Sequence, residues 1–261
     1  MRHTKDTLDN EEYEDKLLKE IGKNFSMERV YQDIRAKETL QIIRKIHPSS
    51  ILDIGFGPVP IFTLLPSISS YVGVEPSKKF FDHARMVSAG KNGVELIQGQ
   101  VETVVDRLQR GKYDLIILNS LLHEVQDPEL VVRIVHTLCK ERTTVIATVP
   151  NALSFHRLLA FHSGLVSSVT SRSRKDQKFD RKMHFDKSSL TDLFVKEGFR
   201  VRNIYTYFIK VFSDAQIERM LRMGIISKDI IEGFQEMSKY VPDYGAEILI
   251  ETELDGNSIL K

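Results

Sequence analysis

Ile51-Leu52-Asp53-Ile54-Gly55-Phe56-Gly57-Pro58 decides the fold. A short apolar run from Ser50 to Ile54 ends in a Gly/Pro loop. Two glycines just past a buried strand let the backbone turn sharply and let a ligand reach the main chain. A second run, Tyr71 to Val74, ends in Glu75. Its distance from Asp53 is about the 20 residues expected when a strand-terminal acid takes ribose hydroxyls. Loop and acid would then stand side by side at the carboxyl ends of adjacent strands, where open α/β sheets bind ligands.

Outward from this stretch, Val94–Ile97, Tyr113–Leu118 and Thr143–Val149 read as further strands. Helical patterns separate them, over Lys79–Ala89 and Pro128–Cys139. Short apolar runs alternating with helices indicate a parallel sheet covered on both faces. Upstream, Val30, Ile34, Leu40, Ile43 and Ile46 share one face of a helix over Ser26–Ile46, which Pro48 stops. Downstream come helices over Ser188–Glu197, Asp214–Met223 and Lys228–Tyr240, and strands over Arg200–Phe208 and Ala246–Glu253. The expectation is a Rossmann-like α/β fold: seven mostly parallel strands, helices on both faces, an N-terminal helical extension and a lid insertion. The division read from the sequence is a helical cap over 1–48 and a main domain over 49–261, with an acceptor-side insertion at about 151–185.

Composition narrows the partners. The chain of 261 residues carries a formal net charge of +1 and a 28% charged share. That balance gives no general attraction to nucleic acid or anionic membrane. Cys139 is the only cysteine, so no intramolecular disulfide forms. No apolar run approaches the ~20 residues needed to span a bilayer, and residues 1–15 are too charged for a secretory signal. The reading is a cytoplasmic protein with no membrane partner, no general attraction to nucleic acid beyond a local basic patch, no metal, and an oligomeric state left open.

The motif set Asp53-x-Gly55-x-Gly57, Glu75, Gln98-Gly-Gln100-Val-Glu102 and Tyr113-Asp114-Leu-Ile-Ile-Leu-Asn119-Ser-Leu-Leu-His123-Glu-Val-Gln-Asp127-Pro128 resembles class I S-adenosylmethionine-dependent methyltransferases. The resemblance covers residues 50–150. It implies S-adenosylmethionine as cofactor, held by Asp53, Gly55, Gly57, Glu75, Gln100 and Asn119, with Glu75 on the ribose. Two positions depart from the family. Val59 stands where a third glycine is frequent, and Gln100 where an aspartate is frequent; a Gln carbonyl still accepts a bond from the adenine amino group. A nicotinamide dehydrogenase would carry Gly-x-Gly-x-x-Gly, whereas Pro60 lies three residues after Gly57.

The acceptor half is less explicit. Asn151, His156 and Arg157 follow the fifth strand, His184 follows a long insertion, and Lys210 ends an aromatic strand. This set more loosely resembles methyltransferases of sugar and surface-polysaccharide biosynthesis, which implies a small polar acceptor bearing an anionic group. Asn151, His156, Arg157 and Lys210 are the candidates to bind it, Arg157 through its planar fork. His123 and His184 are the candidate general bases. Plainer readings stand beside each: a helix cap for Asn151, a surface pair for His156 and Arg157, an adenosine wall for His123. Residues 166–182 lack periodicity and are basic from Ser171 to Lys182, which suggests a lid over an anionic molecule. Tyr13, Phe25 and Tyr31 are candidates to cover the cofactor. The expected activity is methyl transfer to an O or N atom of a nucleotide sugar, phosphorylated metabolite or polysaccharide precursor. Two alternatives stay open: an RNA or protein methyltransferase docking through 171–182, and a non-catalytic cofactor-binding relative.

Overall fold

The computed structural model describes residues 14–19, 22, 25–67, 69–170 and 183–256. Tyr13 and the basic run 171–182 lie outside the described residues. Seven strands form one sheet: β1 (Ser50–Ile54), β2 (Ser70–Glu75), β3 (Val94–Gln98), β4 (Leu115–Asn119), β5 (Thr144–Pro150), β6 (Phe199–Tyr207) and β7 (Glu247–Leu254). Their spatial order is β3-β2-β1-β4-β5-β7-β6. β7 runs antiparallel to both its neighbours, β5 and β6, and the pairs among β1–β5 are parallel. The chain thus reverses its strand order after β3, and ligands of open α/β sheets bind at such a switch point.

Helices cover both faces: α1 (Met27–Ile46), α2 (Lys78–Val87), α3 (Val101–Val104), α4 (Pro128–Leu138), α5 (Phe155–His162), α6 (Lys187–Lys196), α7 (Asp214–Arg222) and α8 (Asp229–Glu236). Alternation along the strands divides the core in two. Leu52, Ile54, Val72, Val74, Ile116 and Leu118 meet α4 and α6 through Val131, Val135 and Phe194. Ile51, Tyr71, Leu115, Ile117 and Leu249 meet α1, α7 and α8 through Ile34, Ile42, Ile217 and Phe234.

The seven expected strands are present, with ends moved by one or two residues. The four-residue α3 escapes a periodicity argument because it is shorter than two turns. The helix expected over Lys228–Tyr240 ends as α8 at Glu236 and continues as a 3₁₀ turn, Met237–Lys239. α1 ends before Pro48 because His47 turns left-handed (φ 48°) and donates its N–H to the Ile43 carbonyl.

α1 is fastened by polar bonds as well as apolar packing. Ser26 caps it, its hydroxyl accepting the Arg29 N–H at 3.2 Å. Arg35 donates to Glu247 at 3.3 Å, and Glu38 accepts from Tyr205 and Gln235, each at 2.8 Å. Burial alone would lower the Arg35 pKa, but Glu247 and Glu28 beside it hold the guanidinium firmly charged. Ser26→Ala should lower stability by about 1 kcal/mol, the usual cost of a lost N-cap. Urea unfolding checks this, and an unchanged midpoint would mean that α1 contributes nothing to the cooperative unit.

Candidate functional site

The carboxyl edge of the sheet gathers the residues of the cofactor motifs. Gly55 takes φ +70°, and a Cβ there would sit 2.8 Å from Leu121 Cδ1. Its N–H donates to the Val74 carbonyl at 2.8 Å. Gly57 also takes a positive φ (+62°), and a Cβ added to it would meet nothing within 4 Å. The loop is therefore turned by glycine and leaves open space at its tip.

Glu75 is buried at the end of β2 and grips this loop. Its Oε2 accepts the Gly57 N–H at 2.8 Å and its Oε1 accepts the Ser77 N–H at 2.9 Å. Burial pushes its pKa up to about 7, against the two backbone bonds, and the charges of Glu124 and Asp53 add to the rise. Asp53 lies behind the loop. Burial raises it to about 6, while the Tyr71 hydroxyl at 2.8 Å and the Ile61 N–H lower it. Gln100 is exposed beyond β3, and the Gly99 N–H just before it donates to the Glu75 carbonyl at 3.1 Å. Asn119 ends β4. Its amide donates to Thr39 of α1 at 2.9 Å, and its carbonyl oxygen accepts the Thr148 hydroxyl at 3.3 Å.

A small pocket opens beside this edge, lined by His123, Pro150, Asn151, Ala152, Arg157, Met183 and His184. Segment 183–186 reaches it by pairing parallel to the chain just beyond β5. Asn151 forms a parallel bridge with Phe185, and the Ala152 N–H donates to the Phe185 carbonyl at 2.7 Å. Both candidate histidines thus share one pocket with Asn151 and Arg157. His123 is buried, its Nε2 stands 3.6 Å from Glu124 Oε1, and its carbonyl accepts the Met183 N–H.

The remaining candidates have other settings. The Asn151 amide donates to the carbonyls of Gly245 (2.9 Å) and Asp243 (3.2 Å), and its oxygen accepts the Leu153 N–H. This side chain ties β5 to the entry of β7, and Ser154, not Asn151, occupies the N-cap of α5. Arg157 donates through Nε to the Val169 carbonyl at 2.8 Å. His156 is half-buried in α5 and does not line the pocket. Lys210 is buried against α7, paired with Asp214 and 5.5 Å from the Tyr31 ring. Tyr31 packs edge-on to Phe208 and donates to Asp214 at 3.2 Å; Phe25 has Lys228 over its ring. Among the described residues no acidic, histidine or cysteine group could hold a metal ion.

Sequence reasoning passed over Tyr71, Leu121 and Glu124. For Tyr71 a signal existed: odd positions of β1 and β2 share a face, which puts the tyrosine on the same side of the sheet as Asp53.

A family model described as a methyltransferase domain matches residues 26–204. The chain belongs to this family. The methyltransferase domain uses S-adenosylmethionine, and the residues present fit it, with an open-tipped glycine loop beside a carboxylate at a switch point. Its fold matches an S-adenosylmethionine-dependent methyltransferase from Archaeoglobus fulgidus (TM-score 0.54, 14% identity, 85% of this chain and 93% of that one). It also matches a possible histamine N-methyltransferase from Thermotoga maritima (TM-score 0.53, 19% identity, 84% and 89%). The [4+2]-cyclase SpnF shares the fold as well (TM-score 0.58, 14% identity, 85% and 81%). In sequence, 109 residues are 32% identical to the beauvericin nonribosomal cyclodepsipeptide synthetase of Beauveria bassiana. That match spans 40% of this chain and 3% of the synthetase.

The folded protein binds the Glu75 proton more tightly than the unfolded chain does. Glu75 therefore costs stability progressively as pH rises from about 4.5 to about 7, by up to roughly 3 kcal/mol. Glu75→Gln should flatten this part of the stability–pH curve, whatever it does to absolute stability. Denaturant titrations between pH 4.5 and 7.5 measure the slope, and equal slopes in both proteins would mean that Glu75 titrates normally.

Proposed function

We propose that this domain transfers a methyl group to an O or N atom of a small, polar, anionic acceptor, such as a nucleotide sugar, a phosphorylated metabolite or a surface-polysaccharide precursor. The observation that carries this reading is the pocket that brings His123, His184 and Arg157 together at the end of β5. Cytoplasmic activity belongs to the same reading, on the strength of the single cysteine.

When bound, S-adenosylmethionine supplies a methyl group on a positively charged sulfur, an electrophile that needs alignment more than activation. Each Glu75 oxygen accepts one backbone N–H and keeps a further lone pair for a ribose hydroxyl. Gly57 leaves the approach clear, and Asp53 with Tyr71 backs the loop from below. At the acceptor, Arg157 brings its guanidinium charge to the pocket, where it favours an anionic group. His123 takes the proton of a hydroxyl acceptor, and the Glu124 carboxylate nearby favours the imidazolium that results. An acceptor that is already a neutral amine needs only alignment.

Incubation with labelled S-adenosylmethionine and a panel of phosphorylated and neutral acceptors tests the reading. Label should enter anionic acceptors. His123→Ala should lower turnover on a hydroxyl acceptor by about 100- to 10,000-fold, the contribution of a positioned base, with cofactor-product affinity nearly constant. Transfer to neutral acceptors alone would refute the anionic assignment, and normal turnover in the variant would remove His123 from the chemistry.

A further inference from the structure

We propose that Thr39, in the middle of α1, is a positioning residue that sets the turn after β4 on which both halves of the site depend. Thr39 is fully buried, and its hydroxyl accepts the Asn119 amide at 2.9 Å. The amide oxygen of Asn119 accepts the Thr148 hydroxyl at 3.3 Å, so the side chain is held from both ends. The next residue, Ser120, sits at φ +56°, a left-handed conformation that costs a residue with a Cβ free energy unless its surroundings hold it. Its N–H donates to the Thr148 carbonyl at 2.9 Å and to the Thr148 hydroxyl at 3.0 Å.

This turn aims the three residues that follow. Leu121 lies against Gly55, whose missing Cβ gives it room. His123, two residues on, lines the acceptor pocket. The Thr39 tie comes from a helix 80 residues upstream, and it fixes the wall of the glycine loop and the wall of the acceptor pocket together. Thr148 secures the turn from within the sheet, whereas Thr39 makes its geometry depend on where α1 sits. α1 in turn is held by Arg35–Glu247 and by Glu38 with Tyr205 and Gln235.

The proposal rests on the reading that the cofactor lies along the Gly55–Glu75 edge. Thr39→Val keeps the side-chain shape and removes the acceptor, leaving the Asn119 amide without its partner. Calorimetry with S-adenosylhomocysteine should show affinity weakened roughly five- to thirtyfold. Thr39→Ser restores the hydroxyl and should return affinity to within about twofold of the parent. Melting temperatures are read alongside. A lowered melting temperature with unchanged affinity would make Thr39 a packing residue and overturn the proposal, as would failure of the serine variant to rescue. Should the valine variant not fold, Thr39→Cys takes its place, since a thiol is a poor acceptor, with the same expected weakening and the same overturning result. A parent protein that does not bind S-adenosylhomocysteine would sink the reading of the cofactor edge instead.

Discussion

The Glu75 carboxylate, shared between the N–H groups of Gly57 and Ser77, is the contact on which the site depends. A carboxylate buried this deeply is costly, and its pKa of about 7 records that cost. Two backbone donors offset part of it. In return the end of β2 is fastened to the loop that leaves β1, and loop and acid take a fixed relation before any ligand arrives. Preorganisation of this kind spares binding energy that would otherwise go into ordering the loop.

The same logic extends to α1. The helix buries Glu28, Arg35, Glu38 and Thr39 among its apolar residues, and charges at such depth need partners. Arg35 finds Glu247 on β7, and Glu38 finds Tyr205 on β6 and Gln235 on α8. Helix, antiparallel edge and the α7–α8 connection therefore form one polar and apolar joint on the second face of the sheet. Asn119, at the end of β4, is tied to this helix through Thr39. The family match begins at residue 26, one residue before α1.

What could be read from the sequence was what is local. Asp53, Gly55, Gly57 and Glu75 lie at strand ends, and strand ends follow from apolar runs and breakers over a few residues. The sheet, its helices and the edge that carries the cofactor motifs are legible for that reason. The partners of Asn119, Asn151 and Lys210 were not. The Asn151 amide meets carbonyls 92 and 94 residues away, and Asn119 meets a hydroxyl 80 residues upstream. No periodicity encodes such pairings, because they depend on strand order: β7 inserts between β5 and β6, and only then does Gly245 come beside Asn151. Lys210 had a closer signal, since Asp214 lies four residues on, but the turn from β6 into α7 had to be known before the pair could be drawn.

Glu75 is proposed to join the glycine loop to the ribose. A double-mutant cycle measures it directly, with parent and Glu75→Ala proteins each titrated with S-adenosylhomocysteine and its 2′,3′-dideoxy analogue. Removing both hydroxyls should cost the parent roughly 1.5–3 kcal/mol, the range for hydrogen bonds to a charged group, and cost Glu75→Ala almost nothing. An equal loss in the two proteins would show that the ribose hydroxyls bind elsewhere and that Glu75 serves the loop alone.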